Sequence, residues 1–270
     1  MSEALYRKWR PGTLSELVGQ NHVAHTLQQA VLTDRVSHAY MFCGPRGTGK
    51  TSTARILAKA VNCLSPSDGE PDDSCHMCLA VNEGRAIDLI EIDAASNRRI
   101  ADIRDLTEKI HYSPAEAKFK VYIIDEVHML TREAFNALLK TLEEPPVHVI
   151  FIMATTDAHK VPTTILSRTQ RFDFKPISIN DISDYLIQIL KAENIKYDAE
   201  GIRLIAQKAA GSLRDALSLL DQVIAYSSDS LDIETMRDVL GIIKENIYLN
   251  IIKTIEKKDN KNVVYQLNQL

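Results

Sequence analysis

The chain has 270 residues, 45% of them hydrophobic and 25% charged, with a formal net charge of -4. That length suits one ordinary domain of roughly 150–200 residues and a smaller one. The charge excludes a generally basic surface, so contact with nucleic acid would need a local basic patch or partner subunits. No run approaches about 18 uncharged apolar residues, and the stretch Met1 to Trp9 lacks the apolar core of a signal peptide, so the expectation is a cytoplasmic protein with no membrane segment.

Along the chain, short apolar runs rich in β-branched and aromatic residues alternate with helical patterns. Ala39–Cys43, Asp88–Ile92, Lys120–Ile124 and His148–Ala154 read as strands; Thr51–Val61, Ile100–Ile110 and Thr131–Leu142 read as helices. The alternation predicts an α/β fold, a parallel sheet covered by helices on both faces. From about Lys175 the strand pattern stops, and Asp181–Ala192, Ala199–Ala210, Leu213–Ala225 and Ile233–Leu240 predict a small helical domain. Asn246–Ile255 and Asn262–Leu270 are again helix-like and lack a closing cap, which predicts the start of a third, truncated helical unit. The expected boundaries are 1–176, 177–242 and 243–270, and no internal repeat is visible.

Between the first strand and the first of these helices lies Gly44-Pro45-Arg46-Gly47-Thr48-Gly49-Lys50-Thr51, a full nucleotide-phosphate loop. Its glycines let backbone amides turn inward around phosphate oxygens, and the following helix points its positive end at them. Lys50 would reach the β- and γ-phosphates and the Thr51 hydroxyl would ligate magnesium; Gly44 through Ser52 are the candidate nucleotide contacts. Val121 to Ile124 is an apolar strand ending in Asp125-Glu126, where this architecture places its metal and water chemistry. Asp125 would hold magnesium through its water shell, and Glu126 would polarise the attacking water.

Thr155 and Thr156 end the next strand. If that strand neighbours the 121–124 strand, Thr155 sits beside Glu126 and orients the same water or the γ-phosphate; otherwise it is a turn former. Arg168 closes a short helical stretch from Pro162, a position that the helix dipole favours for any cation. Arg214 is different. It follows the break at Gly211-Ser212 and falls in a first helical turn, where a cation is misplaced unless a bound anion compensates it.

The four cysteines stand at 43, 63, 75 and 78. In a cytoplasmic chain they are thiols or metal ligands rather than disulfides. Cys75-x-x-Cys78 with Cys63 twelve residues earlier is a zinc signal, Cys43 beside the loop suits a small buried residue, and Ser65 to Ser74 reads as a polar surface loop. Asn97-Arg98-Arg99 is the best local basic patch, either a phosphate contact or a solvated helix end.

Together, Gly44–Thr51, Asp125-Glu126-Val127-His128, Ala154-Thr155-Thr156, Ser167-Arg168 and Gly211 to Asp215 resemble the AAA+ ATPases. Tyr6 to Pro11, Gly19-Gln20, His38 to Tyr40, Asp88 to Ser96 and Leu138 to Pro146 carry a closer resemblance, over nearly the whole chain, to the gamma/tau family of the bacterial DNA polymerase III clamp loader. The resemblance implies a ring-forming, ATP-hydrolysing motor that opens a sliding clamp and loads it on primer-template DNA. It would work with delta and delta-prime subunits and further copies of itself. It makes Thr155 the first sensor and Arg214 the second, places Tyr6, Arg10, Pro11 and Val18 at the adenine, and makes Arg168 the finger that completes a neighbour's ATP site. It also implies a zinc knuckle at about 62–80 with four ligands aligned on Cys63, Asp72, Cys75 and Cys78. An aspartate there replaces a cysteine, so Asp72, Asp73, His76, water or an empty site all remain open. Two rival readings are a DNA-translocating helicase of the branch-migration type and a nucleotide-binding scaffold without hydrolysis.

Overall fold

The computed structural model describes residues 4–97, 100–227, 230–242 and 254–256. The expected basic patch at Arg98-Arg99 and nearly all of the expected third unit, 243–270, therefore lie outside the described residues. In chain order the elements are α1 (Leu5–Lys8), α2 (Asn21–Leu32), β1 (Ala39–Cys43), α3 (Lys50–Asn62), α4 (His76–Asn82), β2 (Leu89–Asp93), α5 (Ile100–Ile110), β3 (Lys120–Asp125) and α6 (Arg132–Glu143). Then follow β4 (Val149–Thr155), α7 (Thr163–Leu166), β5 (Gln170–Asp173), α8 (Ile179–Ala192), β6 (Lys196–Tyr197), α9 (Ala199–Lys208), α10 (Leu213–Tyr226), β7 (Ser230–Leu231) and α11 (Ile233–Leu240).

The chain forms two compact units, one of residues 7–178 with 211–214, the other of the described residues in 1–6, 179–210 and 215–270. In the first, five parallel strands run in the order β2-β3-β4-β1-β5. Every residue of β1 and β4 is buried, as expected of strands covered on both faces. Strand alternation divides the core in two. Met41, Tyr122, Ile124, Phe151 and Met153 face the α5–α6 side with Phe135 and Leu138. Tyr40, Phe42, Ile123, Ile150 and Ile152 face Leu27 of α2 and Leu57 of α3. β1 lies between β4 and β5, the chain passing from β4 over to β5 on its far side, and the phosphate loop emerges at the carboxyl end of β1.

The second unit packs helices around Ile182, Leu186, Ile189, Ile202, Ile205, Leu220 and Met236. Asp198 caps α9 by accepting from Glu200 N (2.8 Å), and Asp232 caps α11 by accepting from Thr235 N (2.8 Å). The Leu5 amide donates to Asp221 of α10 (3.0 Å), which ties the amino-terminal turn to this unit.

Several elements differ from the sequence pattern. β5 and the short parallel pair β6–β7 were not expected after Leu166, because four- and two-residue strands are too short to show alternation. α1, α2 and α4 were also unread. Residues 65–74 do form a loop, yet Gly69 and Pro71 in it are buried, so it packs against the domain rather than lying wholly on the surface.

Candidate nucleotide and metal sites

The phosphate loop leaves β1 at Cys43, and Gly44, Gly47 and Gly49 all have positive φ. Gly47 shows why. A Cβ there would lie 2.0 Å from the Ser212 hydroxyl oxygen and 3.3 Å from the Arg214 Cβ, so only glycine lets the 211–214 segment close on the loop. Leu213 N donates to Gly47 O (3.0 Å), which brings Arg214, the second-sensor candidate, beside the loop. Lys50, only 6% exposed, folds its ammonium onto the carbonyls of Gly44 (2.9 Å) and Pro45 (2.8 Å). Burial holds its pKa below the usual lysine value, with Glu126 and Asp125 pulling the other way. An arriving polyphosphate would give this buried cation the anionic partner that it faces only at a distance.

Thr51 Oγ1 donates to Asp125 Oδ2 (2.7 Å), so the hydroxyl and carboxylate named as magnesium ligands from the sequence are held together. Hard oxygens of this kind suit a small divalent cation. Asp125 Oδ1 accepts from Glu126 N (2.9 Å), and Glu126 adopts φ 48° and ψ 44°, a left-handed conformation costly for a side chain with a Cβ. Its carboxylate accepts from Thr156 N (3.2 Å) and Thr156 Oγ1 (2.9 Å), with His128 Nδ1 at 3.3 Å. β3 does neighbour β4, and Thr155 is fully buried with its hydroxyl 3.1 Å from His128 Nδ1. The direct partners of Glu126 are thus Thr156 and His128. Spacing alone gives neither a role, although both stand beside the acidic pair and the strand-end threonine in the sequence.

Arg10 Nε donates to Ser52 Oγ (3.0 Å), which anchors the 7–18 strap to the start of α3. Burial and the nearby cations Arg55 and Arg214 push its pKa down, opposed by Glu91 and Asp125. Pro11 and Arg10 line a cavity of about 240 Å³ with Ser52, Lys59 and Asp73. Val18 lies half-buried in the turn before α2, and Tyr6 belongs to the other unit, in α1. Arg168 is paired with Glu143 (2.7 Å) and also donates to Thr164 O (2.7 Å), so here it is tethered to the end of α6.

The four aligned knuckle residues converge. One donor atom each from Cys63, Asp72, Cys75 and Cys78 lies within 4.8 Å of the others. The Cys63 and Cys75 sulfurs are 3.9 Å apart, against about 3.8 Å for the edge of a tetrahedron with zinc–sulfur bonds of about 2.3 Å. Burial raises the Cys63 and Cys78 thiols, whereas the Cys75 amide, which donates to Asp72 Oδ1 (3.1 Å), helps hold that carboxyl below its ordinary range. Three sulfurs and one carboxylate oxygen fit a tetrahedral zinc ion. Asp73 is engaged by Lys59 and Asn82, and His76 is exposed at the head of α4, so neither belongs to the cluster. Cys43 is buried in the sheet, as its position suggests.

A parallel sheet, a glycine-rich loop opening a helix, and an acidic pair ending the strand two places from it define a P-loop nucleoside triphosphatase of the AAA+ class. Thermotoga maritima RuvB, described as a Holliday junction branch migration motor, shares the fold with a TM-score of 0.62 and 17% identity, covering 91% of this chain and 78% of that one. A model of the family described as DNA polymerase III, delta subunit, matches residues 19–178, and one described as DNA polymerase III clamp loader subunit, ATPase lid domain, matches 181–229. DNA polymerase III subunit tau of Bacillus subtilis is 48% identical over 268 residues, and that of Escherichia coli 45% over 267. Each alignment takes in 99% of this chain but only 48% and 42% of those relatives, so the chain spans about half their length. Subunit gamma of Buchnera aphidicola subsp. Baizongia pistaciae is 45% identical over 96% of this chain and 70% of its own. The chain belongs to the gamma/tau family of DNA polymerase III subunits.

Proposed function

We propose that the chain is the ATP-hydrolysing motor part of a DNA polymerase III clamp loader, using ATP to open a sliding clamp and place it on primer-template DNA in the cytoplasm. The observation that carries this reading is the Lys50, Thr51, Asp125 and Glu126 constellation, intact and held by hydrogen bonds in a chain of this family. Backbone amides of 44–50 and the Lys50 ammonium would bind the phosphates, with Arg214 adding charge from the 211–214 segment. Thr51 and Asp125 would hold a magnesium ion, which when bound neutralises charge on the β- and γ-oxygens. Glu126 takes the proton of the attacking water, and Thr155 orients the γ-phosphate. Arg168 serves the neighbouring subunit's site across a ring of delta, delta-prime and further gamma/tau copies. It must leave Glu143 to do so. A structural zinc ion at Cys63, Asp72, Cys75 and Cys78 is part of the same proposal.

The scaffold reading is disfavoured by the complete catalytic set, and the branch-migration reading rests on likeness of fold alone. Steady-state ATP hydrolysis by the full assembly tests the proposal: clamp plus primed DNA should raise it severalfold. A rate indifferent to both would overturn the clamp-loading assignment.

A further inference from the structure

The knuckle touches the nucleotide strap directly. Glu70, two residues before Asp72, accepts from the backbone amides of Leu14 (2.7 Å) and Ser15 (2.7 Å), so one carboxylate grips two consecutive amides of the segment between Pro11 and Val18. Its Oε1 also accepts from Gln28 Nε2 of α2. The loop that presents Glu70 is tight: Ser67 and Glu70 exchange backbone hydrogen bonds (3.1 and 2.9 Å) across Asp68 and Gly69, both at positive φ. At Gly69 a Cβ would lie 2.3 Å from Gln28 O, so this turn is seated on α2 and only glycine fits. A second tie sits one residue after Asp72. Asp73 is bound by the ammonium of Lys59, which is 3% exposed and projects from α3, the helix that the phosphate loop opens. Lys59 also donates to Asn82 of α4 (3.0 Å), and Gly12 of the strap abuts the Asp73 carboxylate.

Carboxylate-to-amide bonds are charge-assisted and about twice as strong as neutral ones. They add to a strap that is seated by buried Leu14 and Leu17 and tied internally by the Leu17-to-Leu14 turn, by Glu16 bonded to Gly12 and by a Thr13–Ser15 hydroxyl contact. We propose that the knuckle is a metal-set clip for the base of the nucleotide: Glu70 is a positioning residue that holds the 10–18 strap in its adenine-binding shape, and metal at Cys63, Asp72, Cys75 and Cys78 fixes Glu70 in turn. The inference rests on the adenine assignment of Arg10, Pro11 and Val18. Its consequence is a coupling between two ligands. Metal tightens ATP, and by linkage ATP tightens metal by the same factor.

The test is calorimetric binding of ATP and of inorganic tripolyphosphate to the full chain, with Mg²⁺ present, for the unaltered protein, Glu70→Ala and the near-isosteric Glu70→Gln. Tripolyphosphate uses the phosphate loop but not the strap. We expect ATP binding to weaken about 10-fold in Glu70→Ala and less in Glu70→Gln, tripolyphosphate affinity to stay within about twofold, and stripping zinc with a chelator to reproduce the loss in the unaltered protein but add nothing in Glu70→Ala. Zinc affinity, read by competition with a colorimetric chelator, should rise with saturating ATP in the unaltered protein only. If both ligands weaken together, Glu70 merely supports the fold. If ATP binding does not respond to Glu70 substitution or to zinc removal, the clip is wrong. If ATP and tripolyphosphate bind the unaltered protein equally, the adenine assignment itself falls.

Discussion

Lys50 shows how much a single buried charge can decide. It is folded on two carbonyls inside the loop, with burial opposing its charge, and on the proposed function it would exchange those carbonyls for phosphate oxygens. Charge-assisted hydrogen bonds contribute about 1.5–3 kcal/mol each, so Lys50→Ala should weaken ATP by roughly 10- to 100-fold or more in calorimetry. Unchanged affinity would remove the phosphate-loop assignment. Glu126→Gln should bind ATP normally and lose about 10²- to 10⁴-fold in single-turnover hydrolysis, since an amide takes no proton from water. Normal turnover in that variant would show that the base is another group. Both residues were legible in the sequence because a phosphate loop and an acidic strand end have fixed spacings. Thr156, His128 and Glu143 were not assigned, since pairing across strands and between α6 and Arg168 appears only once the chain has folded.

At the scale of elements, the four long strands were readable from apolar runs, and their carboxyl ends reach one residue further where a polar residue closes the strand, as Asp93 and Asp125 do. α2 escaped notice although Val23, Ala24 and Leu27 form its buried stripe, because Asn and Gln around it dilute the pattern. Asp88 was read as the start of β2. Instead it lies before the strand, 4% exposed, and its carboxylate accepts from the amides of Ala115, Glu116 and Ala117 at 2.8 to 3.0 Å. Burial alone would raise its pKa, but these three donors and Lys120 hold it below the ordinary aspartate value. A depressed folded-state pKa means stabilisation present above the unfolded value of about 3.9 and lost as pH falls through the folded one. Asp88→Asn should therefore cost about 1–3 kcal/mol in urea unfolding at pH 7. The gap should narrow as the pH drops below about 4; a gap independent of pH would show that the charge does not matter there.

The knuckle is an element as well, and its ligand set was partly legible. Spacing picked out Cys63, Cys75 and Cys78, while alignment with a family pattern suggested Asp72, and folding brings Asp72 rather than Asp73 or His76 into the cluster. Protein purified without chelator should carry about one zinc per chain by elemental analysis. Asp72→Ala should weaken zinc by at least the about 10- to 100-fold typical of lost outer-shell support. Full retention of zinc affinity would move the fourth ligand elsewhere.

At the scale of the whole molecule, the proposed function would leave one incomplete site per chain: Lys50, Thr51, Asp125 and Glu126 gather around the loop, whereas Arg168 is tied to Glu143 at the end of α6. A motor of the proposed kind would hydrolyse ATP only between neighbours, and an arginine finger supplied across an interface is worth about 10³- to 10⁵-fold in rate. The most direct measurement is ATP hydrolysis in assemblies mixed from two variants, one carrying Arg168→Ala with Lys50 intact and one carrying Lys50→Ala with Arg168 intact. Each variant assembled alone should be nearly inactive in the presence of clamp and primed DNA. The mixture should recover activity, because intact ATP sites then face intact arginines. Rapid hydrolysis by Arg168→Ala alone, or no recovery on mixing despite confirmed co-assembly, would contradict a ring motor with shared sites.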